Sequence, residues 1–379
     1  MRTLATLLAT AAAGLALVPA AHADLVVDGR GFGHGVGMSQ YGAYGYALRE
    51  GRDFRWILGH YYTGTTVGSA PSSSLRVLLK RTLSPKVCGA TAVRDAAGRR
   101  VRLSSRRAYR IRPRGTGGLR VLDTATGRTR ARLRAPARIT GGQSVCLRGT
   151  AENGLNGGRY RGSLVVSRDA TRLLVVNRLS LERYLYGVVP AEMPTSWSTE
   201  AVKAQAVVAR SYALRGRRPA APFDVYADVR SQVYRGLDAE TPEGNAAVLA
   251  TRGRVVRYGS TVAQTLFFST SGGRTASNEE AFGTTPVAYL RSVADPHDDL
   301  SPVHTWTERF TPARAASLLR AVTEGELRDI QVAARGASGR AATVTVTGSE
   351  GTRDVPAATI RSLLGLRSTW FFLDFAAGG

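Results

Sequence analysis

Glu192 stands in the stretch VVPAEMPTSW, with Val188, Val189, Pro190, Met193, Pro194 and Trp197 around it. Apolar surroundings disfavour the ionised form of a carboxyl and raise its pKa. A carboxyl still protonated near neutral pH can hand its proton to a glycosidic oxygen. The two prolines restrict the local backbone and so fix the direction of the side chain. Two-carboxylate glycosidases hold their acids about 5–5.5 Å apart when retaining and about 6.5–9.5 Å apart when inverting. Glu182, Asp224 and Asp228 are candidate seconds, but their spacing selects none of them. A one-carboxylate mechanism needs no such partner. The competing reading is a glutamate on an exposed loop.

A second candidate is GRGFGHGVGMSQYGA, with glycine at every second position from Gly29 through Gly37. If the run is extended, the five glycines face one side, and Arg30, Phe32, His34, Val36 and Met38 face the other. A face without side chains admits another backbone, or a flat sugar ring, at close range. His34, Ser39 and Gln40 supply polar groups beside it, with a purely structural His34 as the alternative. No G-x-G-x-x-G and no G-x-x-x-x-G-K fits, which argues against a phosphate cradle. In STSGGRT, Ser269 and Ser271 lack a preceding aspartate and any G-x-S-x-G elbow, so the segment reads as a tight turn and not as a serine nucleophile.

The elements that must position these groups are legible in part. TEAVKAQAVVARSYALRGR is the strongest helix signal, with Ser198 able to cap it and Glu200 complementing its dipole. Alanine and valine nearly all round predict a buried helix over 199–215. Its polar members Lys203, Gln205 and Arg210 must then point into a site or pair internally. From Leu75 to about Thr150, apolar and basic residues alternate with period two between short turns, as in AYRIRPR, GLRVLD and RARLRA; that predicts antiparallel strands with an arginine-rich wet face. RYRGSLVVSRDATRLLVVN predicts a hairpin turning near Arg168–Ala170. The class is α+β: a β-rich core with a buried central helix and an additional small antiparallel β subdomain.

Composition sets the compartment. Residues 1–23, MRTLATLLATAAAGLALVPAAHA, have a positive end, a short apolar run and an Ala-His-Ala cleavage site, the pattern of a secretory signal. The run is short for a span of about 20 residues, so a retained anchor is the weaker reading. The expectation is a secreted or cell-wall protein with no membrane span after cleavage. Cys88 and Cys146, its two cysteines, would pair in an oxidising compartment, closing a loop of 58 residues worth nominally about 4 kcal/mol. Neither has a partner at zinc-ligand spacing. Net charge is +24 with only three lysines, Lys80, Lys86 and Lys203. Such a surface favours polyanions. For an exported chain, anionic wall polymers are the expected counterpart, and no nucleic-acid motif accompanies the charge.

VVNRLSLERYLYGVVPAEMPTSWSTEAVKAQAVVARSYAL resembles the core of the stage II sporulation protein D / amidase-enhancer family. SQVYRG, LFFSTSGGRTASNEEAFG, AYLRSVADPHD, GLRSTWF and the opening glycine block are similar to family motifs as well. In the common family order the glycine block follows GLRSTWF; here it comes first, which implies a circular permutation. Strand 26–33 should then lie beside 368–375, as permutation requires of neighbouring termini. The implied organisation is a signal at 1–23, a glycine-rich segment at 24–68 completing the core, the arginine-rich subdomain at 75–150 stapled by Cys88–Cys146, and a catalytic core at 151–379.

The resemblance further implies a lytic transglycosylase acting on peptidoglycan glycan strands. Glu192 would be its acid and base, and His34, Ser39, Gln40, Gln205, Arg210, Ser269 and Ser271 would line the cleft. Some family members hold zinc through a cysteine and a histidine after the catalytic helix. Neither residue occurs here between Tyr212 and Asp295, so no metal and no cofactor is implied. The competing implication is a non-catalytic enhancer of a cell-wall amidase.

Overall fold

The computed structural model describes residues 24–375. The expected secretory signal at 1–23 lies outside them. None of the described helices is long and apolar enough to cross a membrane. The architecture is α+β, as expected, with five sheets among the described residues. The largest has eleven strands. The arginine-rich strands from Ser74–Thr82 to Ala137–Arg148 run on in this sheet into the hairpin of Ser163–Asp169 and Arg172–Ser180. The arginine-rich stretch 75–150 thus shares one sheet with that hairpin. Cys88 and Cys146 oppose each other on paired strands, their Cα atoms 5.0 Å apart, and form a disulfide.

Four helices build the layer that carries the site: α1 (Gln40–Arg49), α2 (Phe54–Tyr61), α3 (Leu181–Glu192) and α4 (Thr199–Arg215). The expected buried helix is α4. Ala201, Val202, Ala204, Val207 and Val208 are all within 2% of full burial. It packs against α1, α2, α3 and the strand Arg254–Tyr258. Ser198 occupies the N-cap, but its side chain makes no bond to the first turn, so the expected cap is only positional. Glu200 instead accepts from Phe54 N at 2.9 Å and pairs with Lys203 at 2.6 Å. Helix α3, unlike α4, was not legible as a helix. Pro190 sits in its last turn, where the missing N–H removes only one bond. Ser180 Oγ accepts from Arg183 N at its start.

The strand Leu25–Arg30 lies between Thr305–Phe310 and Phe371–Phe375, antiparallel to both. Leu25 faces Phe375 and Gly29 faces Phe371, so the adjacency expected of a permuted chain is present. This sheet and the helix Ala357–Leu364 enclose a second core of Leu25, Val27, Trp306, Ile360 and Phe371, separate from the main one.

The glycine run corrects the extended reading. The strand ends at Arg30, and Gly31, Gly33, Gly35 and Gly37 all take positive φ, between 71° and 120°. Glycine is used here for backbone angles and close approach, and no flat bare face results. A Cβ on Gly31 would stand 2.5 Å from Thr270 O, and one on Gly37 only 2.1 Å from Leu266 O. The neighbour is the protein's own segment 266–271, which occupies the place a sugar ring would need.

Candidate functional site

Glu192 is the last residue of α3 and is partly buried. Its Oε1 accepts a 2.6 Å hydrogen bond from Val233 N. Burial pushes its pKa above the ordinary carboxyl value, while the Val233 N–H and the nearby Arg235 charge act in the opposite sense. The phenols of Tyr184 and Tyr212 lie close enough to feel the Glu192 charge; both are pushed up, by burial first. Among the described residues no lysine or arginine nitrogen lies within 4.0 Å of this carboxylate.

Three glutamines gather around Glu192. Gln40 Nε2, at the start of α1, donates to the Glu192 carbonyl at 2.8 Å and to Gln205 Oε1 at 3.4 Å. Gln205 is fully buried and its Nε2 has no protein partner. Gln232 is 1% exposed; its Oε1 accepts from Tyr184 Oη at 3.3 Å and its Nε2 is also unpartnered. Two buried amide donors, Gln205 Nε2 and Gln232 Nε2, thus lack a protein partner, and a buried amide left so carries a desolvation cost. Beside them Trp197 stacks on Tyr44 with centroids 4.6 Å apart and meets Tyr41 at 4.7 Å. All three rings are partly exposed.

The other expected residues sit elsewhere. Arg210 is 1% exposed, bridges Glu182 through two nitrogens at 2.7 and 3.1 Å, and donates to the carbonyls of Ala206, Val248 and Arg254. Its guanidinium is thus held by Glu182 and three backbone carbonyls, and it borders a small cavity with Leu181, Glu182, Leu214 and Arg252. Ser39 Oγ caps α1 by accepting from Gly42 N. Ser271 Oγ donates to Asp298 Oδ2 at 2.9 Å and accepts from Gly273 N. Ser269 holds α1 through its carbonyl, which accepts from Tyr41 N, and its hydroxyl meets Thr270 Oγ1. His34 packs on Phe268 and Phe282, and its Nδ1 accepts from Val36 N. Burial, with Arg361 and Arg340 adding to it, pushes this imidazole down to about 4, so it stays neutral. None of these four side chains bonds to Glu192, and Ser39 alone caps the helix that carries Gln40.

The candidate second carboxylates are engaged as well. Glu182 pairs with Arg210, Asp224 with Arg76, and Asp228 with Arg230. Sequence reasoning missed Tyr184, Gln232, Val233 and Arg235, three of which lie in the motif SQVYRG. It also missed Asp295, fully buried under α1, which accepts from Tyr61 Oη at 2.7 Å and is raised to about 6 by burial and the neighbouring Asp298. No group of three or more histidine, cysteine or acidic side chains suited to hold a metal occurs among the described residues.

The family model for SpoIID, stage II sporulation protein, matches residues 169–258, a span that holds Glu192, Gln205, Gln232 and Val233. Stage II sporulation protein D of Bacillus subtilis is 31% identical over 226 residues, 55% of this chain and 64% of that protein. The protein of the same name from Bacillus amyloliquefaciens is 32% identical over 213 residues, 52% of this chain and 60% of its own length. The amidase enhancer of Bacillus subtilis is 37% identical over 123 residues, 32% of this chain and 16% of that protein. The chain thus spans less than two thirds of the length of each of these relatives. Over residues 169–258 it matches the stage II sporulation protein family model, and it is similar to proteins named stage II sporulation protein D and amidase enhancer.

Proposed function

We propose that this protein is an exported lytic transglycosylase that cleaves peptidoglycan glycan strands with Glu192 as both acid and base. The observation that carries the reading is one partly buried carboxyl, raised in pKa, without a cationic partner, and oriented by Val233 N. Protonated Glu192 donates to the oxygen between N-acetylmuramic acid and N-acetylglucosamine as the bond from C1 breaks. The resulting carboxylate then takes the proton of the muramoyl 6-hydroxyl as that oxygen bonds to C1. The products are a free 4-hydroxyl end and a 1,6-anhydro end, and no water enters. One carboxyl is enough, which agrees with the engagement of Glu182, Asp224 and Asp228 in ion pairs. Trp197 and Tyr44 supply a stacking face for a flanking sugar.

Export through residues 1–23 would bring the enzyme to its substrate. The pairing of Leu25–Arg30 with Phe371–Phe375 supports a permuted family order. A second reading is favoured by the similarity to an amidase enhancer: a wall-binding protein that stimulates a cell-wall amidase without cutting glycan. Purified protein is incubated with glycan strands, intact and stripped of peptides, and anhydro-muramoyl ends are counted. Release by wild type and none by Glu192→Gln supports catalysis. Equal release by both overturns it. No release, with stimulation of an added amidase, supports the enhancer.

A further inference from the structure

The arginine-rich end of the large sheet carries a feature that cleavage of glycan does not use. Strands Tyr109–Arg114, Gly118–Asp123 and Thr129–Arg134 pair antiparallel in sequence. Their buried face holds Ile111, Leu119, Val121 and Leu133. On the other face Arg112 lies opposite Arg120, and Arg120 opposite Arg132, so three guanidinium groups cross three strands in one row. A second row holds Arg114 and Arg134 on either side of Gly118, and Arg110 follows on the first strand. Neighbouring strands lie about 4.8 Å apart and alternate residues about 6.8 Å apart, so the side chains form a regular grid.

Like charges directly opposite each other destabilise a sheet. Nothing nearby relieves them: among the described residues none of these six arginines lies within 4.0 Å of a carboxylate. Asp123, the one acid in the three strands, pairs with Arg107 and accepts from the turn N–H groups of Ala125 and Thr126. Asp95 is taken up by the backbone N–H groups of Ala97, Arg99 and Arg134. A face built this way has unbalanced positive charge and attracts anions from outside.

We propose that it docks a linear polyol-phosphate polymer of the cell wall, with successive phosphodiesters seated between the arginine rows. The choice of a wall polyol phosphate rests on the wall-associated reading above; the match to a linear polyanion does not. A single-stranded nucleic acid would look for aromatic side chains on which to stack its bases. Tyr109, the one aromatic in the three strands, is buried on the opposite face.

The test uses the full chain and a fluorescent 20-unit poly(glycerol phosphate), titrated by anisotropy at several salt concentrations. The triple variant Arg112→Gln, Arg120→Gln, Arg132→Gln is compared with Arg309→Gln, Arg328→Gln, Arg353→Gln, three exposed arginines outside the large sheet. The first triple is expected to weaken binding about tenfold and to reduce the log–log salt slope by about 2, the second to change binding less than about twofold. The melting temperature of the first triple stays level or rises, because opposed charges are removed. Equal weakening by both triples reduces the effect to net charge and overturns the proposal. Equal or tighter binding of a 20-residue oligo-dT overturns the choice of polymer. Release of anhydro-muramoyl ends is measured in parallel: its persistence in the first triple with polymer binding lost supports a separate docking face. Its absence from wild type with polymer binding intact overturns the catalytic reading alone.

Discussion

The backbone N–H of Val233 donates to Oε1 of Glu192 at 2.6 Å, although the two residues are 41 positions apart. This bond favours the carboxylate, whereas burial favours the acid, and burial is the larger cause. The group therefore holds its proton to a higher pH than an exposed glutamate while keeping a fixed direction.

Arg235 is exposed, and its charge lowers the Glu192 pKa. Removing that charge in Arg235→Gln leaves the acid form populated to higher pH. The falling limb of the pH–rate profile for glycan cleavage should move up relative to wild type. A limb that stays in place, or moves down, would detach the titration from Glu192.

Trp197 should matter for binding more than for chemistry. Trp197→Ala is expected to weaken glycan affinity about tenfold, close to 1.4 kcal/mol, and Trp197→Phe to restore most of it. An unchanged KM in Trp197→Ala, at an unchanged melting temperature, would remove the stacking role.

Gly42 allows α1 to reach Asp295 and Tyr61. A Cβ at this position would stand 2.1 Å from Asp295 Oδ1 and 2.2 Å from Tyr61 Oη. Gly42→Ala is therefore expected to cost about 1–3 kcal/mol, read from the midpoint of urea unfolding, despite the better helix propensity of alanine. A neutral or stabilising result would mean that α1 shifts freely against Asp295.

Asp295, raised from 3.8 to about 6, binds its proton more tightly in the folded than in the unfolded chain. Its contribution to stability is therefore largest at low pH and is lost as pH rises through about 4 to 6, a change of about 3 kcal/mol. His34, lowered from 6.5 to about 4, has the opposite slope across nearly the same window, because its neutral form is the folded one. Asp295→Asn keeps an acceptor for Tyr61 and removes only the first slope. Its stability should gain on wild type by about 3 kcal/mol between pH 4 and 7, measured by denaturation at each pH. A constant gap would show that Asp295 does not titrate in this range.

The disulfide closes a separation of 58 residues within the large sheet. Cys88→Ser with Cys146→Ser is expected to lower stability by about 2–5 kcal/mol. Loss of less than about 1 kcal/mol would mean that the surrounding strand pairing already limits the unfolded loop.

Local chemistry determined much of this protein. The run of alanine and valine in 199–215 specified a buried helix, because a stripe that is apolar all round has no stable solvent face. Alternation in 109–134 specified strands with one basic face, and the setting of Glu192 specified a carboxyl that resists ionising. Tertiary structure decided the rest, because the deciding contacts join residues that sequence spacing does not relate. Gln40 reaches the Glu192 carbonyl from 152 residues away. Arg210, legible as a buried cation in need of a partner, found it in Glu182, 28 residues away. The alternating glycines looked like a strand face until segment 266–271, opposite Gly31, Gly33 and Gly37, and Arg340, opposite Gly35, showed what each positive-φ glycine stands against. Periodicity reports which way a side chain faces along its own element; only the assembled fold supplies what stands opposite it.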